Sequence, residues 1–143
     1  MKKLNLSLIL FILTVAALFI YSNVFAVDTI TVTKSAKNLR TGEEGSNTQP
    51  ISVAIPGDTI EFIVTWANIS VDKAETVTLV DYIPPYMTYL SGSVTDTETN
   101  CDTPGTAIYY PGENKVEYIS SGVAGTVPGP AGNGVIKFRI MMQ

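Results

Sequence analysis

The chain contains no histidine, which removes the side chain that most often serves as general base and metal ligand near neutral pH. Serine and cysteine hydrolase arrangements built around a histidine are excluded with it. No glycine-rich loop followed by Lys and Ser or Thr occurs, so nothing reads as a phosphate cradle. Positive charge is also scarce. Nine Lys and Arg against 13 Asp and Glu give a net charge of −4, a balance that repels nucleic acid and anionic membrane surfaces, because both are bound by clustered cations. Cys101 is the only cysteine, which rules out a disulfide within one chain and leaves an unpaired thiol or a disulfide between two subunits. Beyond Ala26 no stretch keeps the 3,4 spacing of apolar residues that a packed helix needs. Neither an enzyme nor a cofactor-binding protein is expected from these absences.

Two kinds of chemistry survive the lack of histidine. Paired carboxylates hydrolyse glycosides, but most of the acidic residues fall in loops and turns with no supporting motif. Asp96, Glu98, Asn100 and Asp102 gather oxygen ligands in one stretch, yet without the Gly and Glu positions of a calcium-binding EF-hand loop. A solvated acidic loop with no metal is the reading taken.

What is present begins with a leader. Lys2 and Lys3 supply a positive start, Leu6 to Ile20 is an apolar run without charge, and Val24-Phe25-Ala26 offers a cleavage site, so residues 1–26 read as a secretory signal peptide. The run falls short of the roughly 20 residues that comfortably span a bilayer, an uncleaved anchor being the alternative. Removal of the leader leaves residues 27–143 as one secreted domain with no membrane partner.

That domain reads as all-β. Thr29 to Thr33 alternates strictly, with Ile30 and Val32 on one face and Thr29, Thr31 and Thr33 on the other. Lys37 to Pro50 reads as a loop. Pro56-Gly57-Asp58 is a turn leading into Thr59 to Ala67, where Ile60, Phe62, Val64 and Trp66 share a core face. Thr76 to Tyr82 follows and is stopped by Pro84-Pro85. Short strands are expected near Tyr86 to Leu90 and Ser93 to Thr97, then a polar loop from Asp96 to Gly105. Ala107 to Tyr110 and Lys115 to Ser120 form a hairpin around Pro111 to Asn114. Val135 to Met142 is a further strand, with Ile136, Phe138, Ile140 and Met142 on one face. Seven or eight short strands with turns between them favour a Greek-key β-sandwich, an open barrel being the runner-up.

Four segments taken together carry a resemblance: Ile55 to Phe62, Val64 to Asn68, Val77 to Pro84 and Met87 to Leu90. A Pro-Gly-Asp turn, a strand ending in Asn, a strand ending in Asp-x-x-Pro and a short following strand, in that order, resemble the DUF11 family, the conserved repeat domain of bacterial and archaeal surface proteins. The resemblance covers about residues 29 to 142. It implies an immunoglobulin-like sandwich at the cell surface with a structural or adhesive role. The chain departs from the pattern in carrying a single copy and in having Ile69-Ser70 after Asn68, where a Gly is usual. The pattern residues Pro56, Gly57, Asp58, Asn68, Asp81 and Pro84 also have a plain physical reading as corner builders, the carboxylates bonding backbone N–H groups of the turns.

The expected function is a structural protein of the cell surface, a subunit of an extracellular filament or surface layer whose main partner is itself. Strand Thr29 to Thr33, backed by a flexible segment from Ala36 to Pro50, would leave its own sheet and complete a neighbour's. The alternative is a soluble adhesive module for polysaccharide or other surface proteins, using Tyr82, Tyr86, Tyr89, Tyr109 and Tyr110. Two modifications are candidates: glycosylation at Asn68, in the sequon Asn68-Ile69-Ser70, and an isopeptide bond from Lys34 or Lys37 to Asn133.

Overall fold

A computed structural model describes residues 29–143 apart from 47, 48, 50, 52 and 53. The leader expected at 1–26 lies outside the described residues. Within them the chain is all-β, with nine strands and no helix: β1 (Ile30–Asn38), β2 (Glu44–Ser46), β3 (Thr59–Asn68), β4 (Ala74–Tyr82), β5 (Met87–Tyr89), β6 (Thr95–Thr99), β7 (Cys101–Tyr110), β8 (Lys115–Val123) and β9 (Asn133–Met142). They form two antiparallel sheets, a larger one in the order β2-β1-β3-β9 with β5 and β6 sharing the far edge of β9, and a smaller one in the order β4-β8-β7. The result is β-sandwich-like.

Alternation of side chains explains the central strands. Ile60, Val64 and Trp66 of β3 point inward opposite Ile140, Ile136 and Gly134 of β9, and Phe62 meets Phe138 with ring centroids 5.4 Å apart. Val77, Ala107, Val116 and Tyr118 face them from the smaller sheet, all buried. Trp66 reaches across to Tyr118, centroid to centroid 5.7 Å. It has room because position 134 is glycine, where a Cβ would come within 2.8 Å of the indole. Gly105 makes the same allowance beneath the Tyr118 ring.

Two stretches read as loops are strands. β1 runs on to Asn38 and pairs with β3 without a break from Ile30↔Asn68 to Asn38↔Ile60, and β2 folds back onto Ser35 to Lys37. The segment Ala36 to Pro50 is therefore not a free hinge. Only Leu39 to Glu43 separates β1 from β2, turning at Gly42 with φ of 76°. Asp96 to Thr99 belongs to β6 and Cys101 to Gly105 to β7. These segments look polar because Asp96 and Glu98 turn their carboxylates onto β7, accepting the backbone N–H groups of Ala107, at 2.9 Å, and of Gly105. Between the two strands Asn100 takes a φ of 56°, a left-handed conformation that Asn tolerates better than most residues. There the chain passes from one sheet to the other.

Candidate functional site

The sandwich is closed on one side and open on the other. Where β6 passes into β7 through Asn100, the chain itself joins the sheets. The opposite side is bounded by β1 and β4. Strand β4 has β8 as its one neighbour, so its outer edge is unpaired among the described residues, and β2 covers β1 only from Ser35 to Lys37. Among the described residues, Ile30 to Lys34 thus also presents a bare edge. Between the two edges the interior opens as a cleft of about 320 Å³, walled by Val32, Val64, Leu79 and Val116 and floored by Ile136 and Phe138. Val32 points inward opposite Trp66, yet keeps 47% of its surface exposed because no strand of the described residues lies over it.

One ion pair crosses the opening. Lys34 Nζ lies 2.8 and 2.7 Å from the two carboxylate oxygens of Asp81 and 4.1 Å above the Phe62 ring centroid. Both side chains are partly exposed, so the pair contributes about 1 kcal/mol or less. Asp81 therefore does not build the corner before Pro84 as expected. That corner is held by Asn114, which donates from Nδ2 to the Ile83 carbonyl at 3.0 Å and accepts the Tyr109 hydroxyl at 2.9 Å. The Pro84 carbonyl accepts the Met87 N–H in the turn that follows. Lys34 does not meet Asn133 either. Asn133 pairs with Ala67 on the outward face, while Lys34 pairs with Val64 on the inward one. Lys37 shares the outward face but sits beside Glu61, roughly 20 Å along the strand from Asn133.

The other corner residues are buried and bonded. At the Pro56-Gly57 turn, Gly57 has a φ of 90°, a conformation that favours glycine. Asp58 is 3% exposed and accepts Arg40 Nη2 at 3.0 Å, Asn38 Nδ2 at 2.8 Å and the Ile55 N–H at 3.1 Å. The Arg40 hydrogen bond, helped by those of Ile55 and Asn38 and opposed by burial, holds the Asp58 carboxyl well below the usual carboxylate range. Asn68 is wholly buried. Its Nδ2 donates to the carbonyls of Asp72 and Val123 at 3.0 and 3.2 Å, and its Oδ1 accepts the Ser70 N–H and hydroxyl. This corrects the glycosylation expectation for the folded protein, which offers no free nitrogen at Asn68.

Thr29 to Thr33 lies within its own domain, Thr29 accepting the Ile69 N–H at 2.9 Å and the rest pairing with β3. Cys101 is half-buried, bonding the Thr99 carbonyl at 3.4 Å, and burial pushes its thiol up, which lowers the reactive thiolate fraction at neutral pH. Of the five tyrosines considered for sugar contact, Tyr89 and Tyr109 stack on each other with centroids 3.9 Å apart and are packed against the core. Tyr82, Tyr86 and Tyr110 are exposed.

The sequence did not disclose the open side, since whether a strand is an edge depends on its neighbours. The nearest signal was Asp81, a carboxylate that follows Val77 and Leu79 on the inward face of β4. Comparison with protein-family models, with curated proteins and with solved structures gave no match.

Proposed function

We propose that this chain is a secreted structural protein of the cell surface, a subunit of an extracellular filament or surface layer assembled through β-strand exchange. The observation that supports it is the open side, where two unpaired strand edges flank a cleft reaching the core. Unpaired edges of this kind invite main-chain pairing with another chain; β4 carries neither Pro nor Lys, and the inward charge of Asp81 is matched by Lys34. Export rests on the leader in the sequence. The surface role, and an immunoglobulin-like Greek-key kinship, rest on the DUF11 resemblance. That kinship is proposed at the level of architecture, since β9 lies beside β3, whereas in constant-type immunoglobulin domains the final strand joins the other sheet.

In the proposed assembly, Thr29 to Thr33 of one subunit runs along the free edge of β4 in the next, covering Val32 and Leu79 and satisfying the backbone groups of both strands. Both bare edges lie on the same side of the sandwich, so two subunits meeting face to face close into a dimer. Open-ended growth needs Thr29 to Thr33 to leave its own sheet, opening its pairing with β3, so that each subunit feeds another. Light scattering after size exclusion, with negative-stain microscopy of protein lacking residues 1–26, tests this. Expected are oligomers that grow with concentration into filaments or sheets, abolished by Thr78→Lys on the β4 edge with the circular dichroism spectrum unchanged. A strict monomer at high concentration, or a dimer with nothing larger, overturns the proposal.

A further inference from the structure

The outer face of the smaller sheet is more apolar than a solvent face needs to be. Across its three strands, Tyr82, Lys115 and Tyr110 stand in one row and Val80, Glu117 and Ile108 in the next. Ile119 lies beyond them on the central strand. Tyr82 is 65% exposed, and Val80, Ile108 and Ile119 between 44% and 46%. Lys115 is held between the tyrosines, only 13% exposed, its Nζ 3.0 Å from Glu113 and 2.8 Å from Glu117 and 5.3 Å from the Tyr110 ring centroid. The row is therefore a shelf: a phenol ring, a lysine stem whose charge is already matched, and a second phenol ring.

Size and charge select the partner. With strands about 4.8 Å apart and rows about 7 Å apart, the seven positions of this face, Lys115 and Glu117 among them, cover on the order of 240 Å². A stable protein–protein contact needs about 800 Å² on each partner, so the face is small for a second protein. It suits flat rings with hydrogen-bearing faces, which tyrosines contact well while their hydroxyls bond at the rim. Tyr82 and Tyr110, two strands apart, are separated by roughly 10 Å, room for about two sugar residues laid across the strands. Lys115 answered by Glu113 and Glu117 leaves no spare positive charge for an acidic chain. We propose that this face, formed by β4, β8 and β7, binds a neutral polysaccharide, a role separate from strand exchange at the open side.

Native affinity electrophoresis of the soluble protein tests it, with gels containing neutral β-glucan, dextran, xylan or mannan, and alginate as the anionic comparison. Retardation by at least one neutral polymer and not by alginate is expected. Tyr82→Ala with Tyr110→Ala should weaken it about tenfold or more, whereas Tyr86→Ala, exposed but off this sheet, should leave it unchanged. Val80→Thr with Ile108→Thr is a second, milder pair, expected to weaken retardation with an unaltered melting temperature. No retardation by any neutral polymer overturns the proposal, as do retardation by alginate alone and retardation undiminished in both pairs. So does a wild-type dimer that the tyrosine pair dissolves, which would make the face a self-interface.

Discussion

At the scale of single residues, two corners of this protein are fixed by Asp58 and Asn68, buried polar side chains bonded at each side-chain oxygen and nitrogen. Asp58 has its protonation suppressed by Arg40, so protons favour the unfolded chain. The stabilisation it supplies is complete above about pH 4 and drains away as the pH falls toward its lowered folded value. Melting temperature measured from pH 6 down to pH 2 should fall more steeply in the wild type than in Asp58→Asn, and superimposable acid limbs would refute this. Asn68 joins the end of β3 to Asp72 and to Val123 of β8. Its replacement by Ala removes the acceptor of the buried Ser70 N–H together with the Nδ2 donor to the Asp72 and Val123 carbonyls, and should cost about 2–4 kcal/mol by chemical denaturation. For Cys101, a disulfide reagent at neutral pH should react slowly in the native state and quickly in denaturant, and equal rates would contradict its half-buried, raised-pKa setting.

At the scale of elements, the strands that bury one face were legible in the sequence over most of their length, whereas β6 was legible only in its first residues, within the short strand expected at Ser93 to Thr97. Ile60, Val64 and Trp66 alternate with polar or less buried neighbours, as do Ile136, Phe138 and Ile140, because only one side of each strand meets the core. In β6 both sides are polar, so period-2 hydrophobicity is absent although Thr95 to Thr99 pairs with β9 throughout. The second half of β1 was hidden similarly: Ala36, Lys37 and Asn38 read as the start of a flexible segment, yet Asn38 is bonded inward to Asp58. Among the corner residues, Gly57 and Asp58 act where the turn signal lies, while Asp81 was misread because its partner, Lys34, is 47 residues away. Core elements give sharp expectations. Phe138→Ala, emptying a side chain that is 1% exposed, should cost about 3–5 kcal/mol. Gly134→Ala should be destabilising by about 1–3 kcal/mol through its collision with Trp66, and part of that loss should return when Trp66→Phe is added, a coupling that a double-mutant cycle reads directly.

For the molecule as a whole, the architecture is uneven in a way that hydrogen exchange should display. β3, β8 and β9 have partners on both flanks, whereas β4 and the first half of β1 have a partner on one. Amides of the central strands should exchange most slowly, and the outward-pointing amides of β4 and of Ile30 to Lys34 fastest, with protection of those edges rising as assembly proceeds. Uniform protection across β4 in the monomer would contradict the open side.

The placement of β9 beside β3 has a consequence for biosynthesis. Glu61 and Arg139, which bond across that pair, are 78 residues apart, so a ribosome making the chain delivers β3 long before its second flank exists. Until Asn133–Met142 has been made, Ile60, Val64 and Trp66 sit on a ribbon with one side bare. The newborn polypeptide cannot complete its larger sheet piecemeal, and the timetable of translation and the timetable of folding are of necessity different.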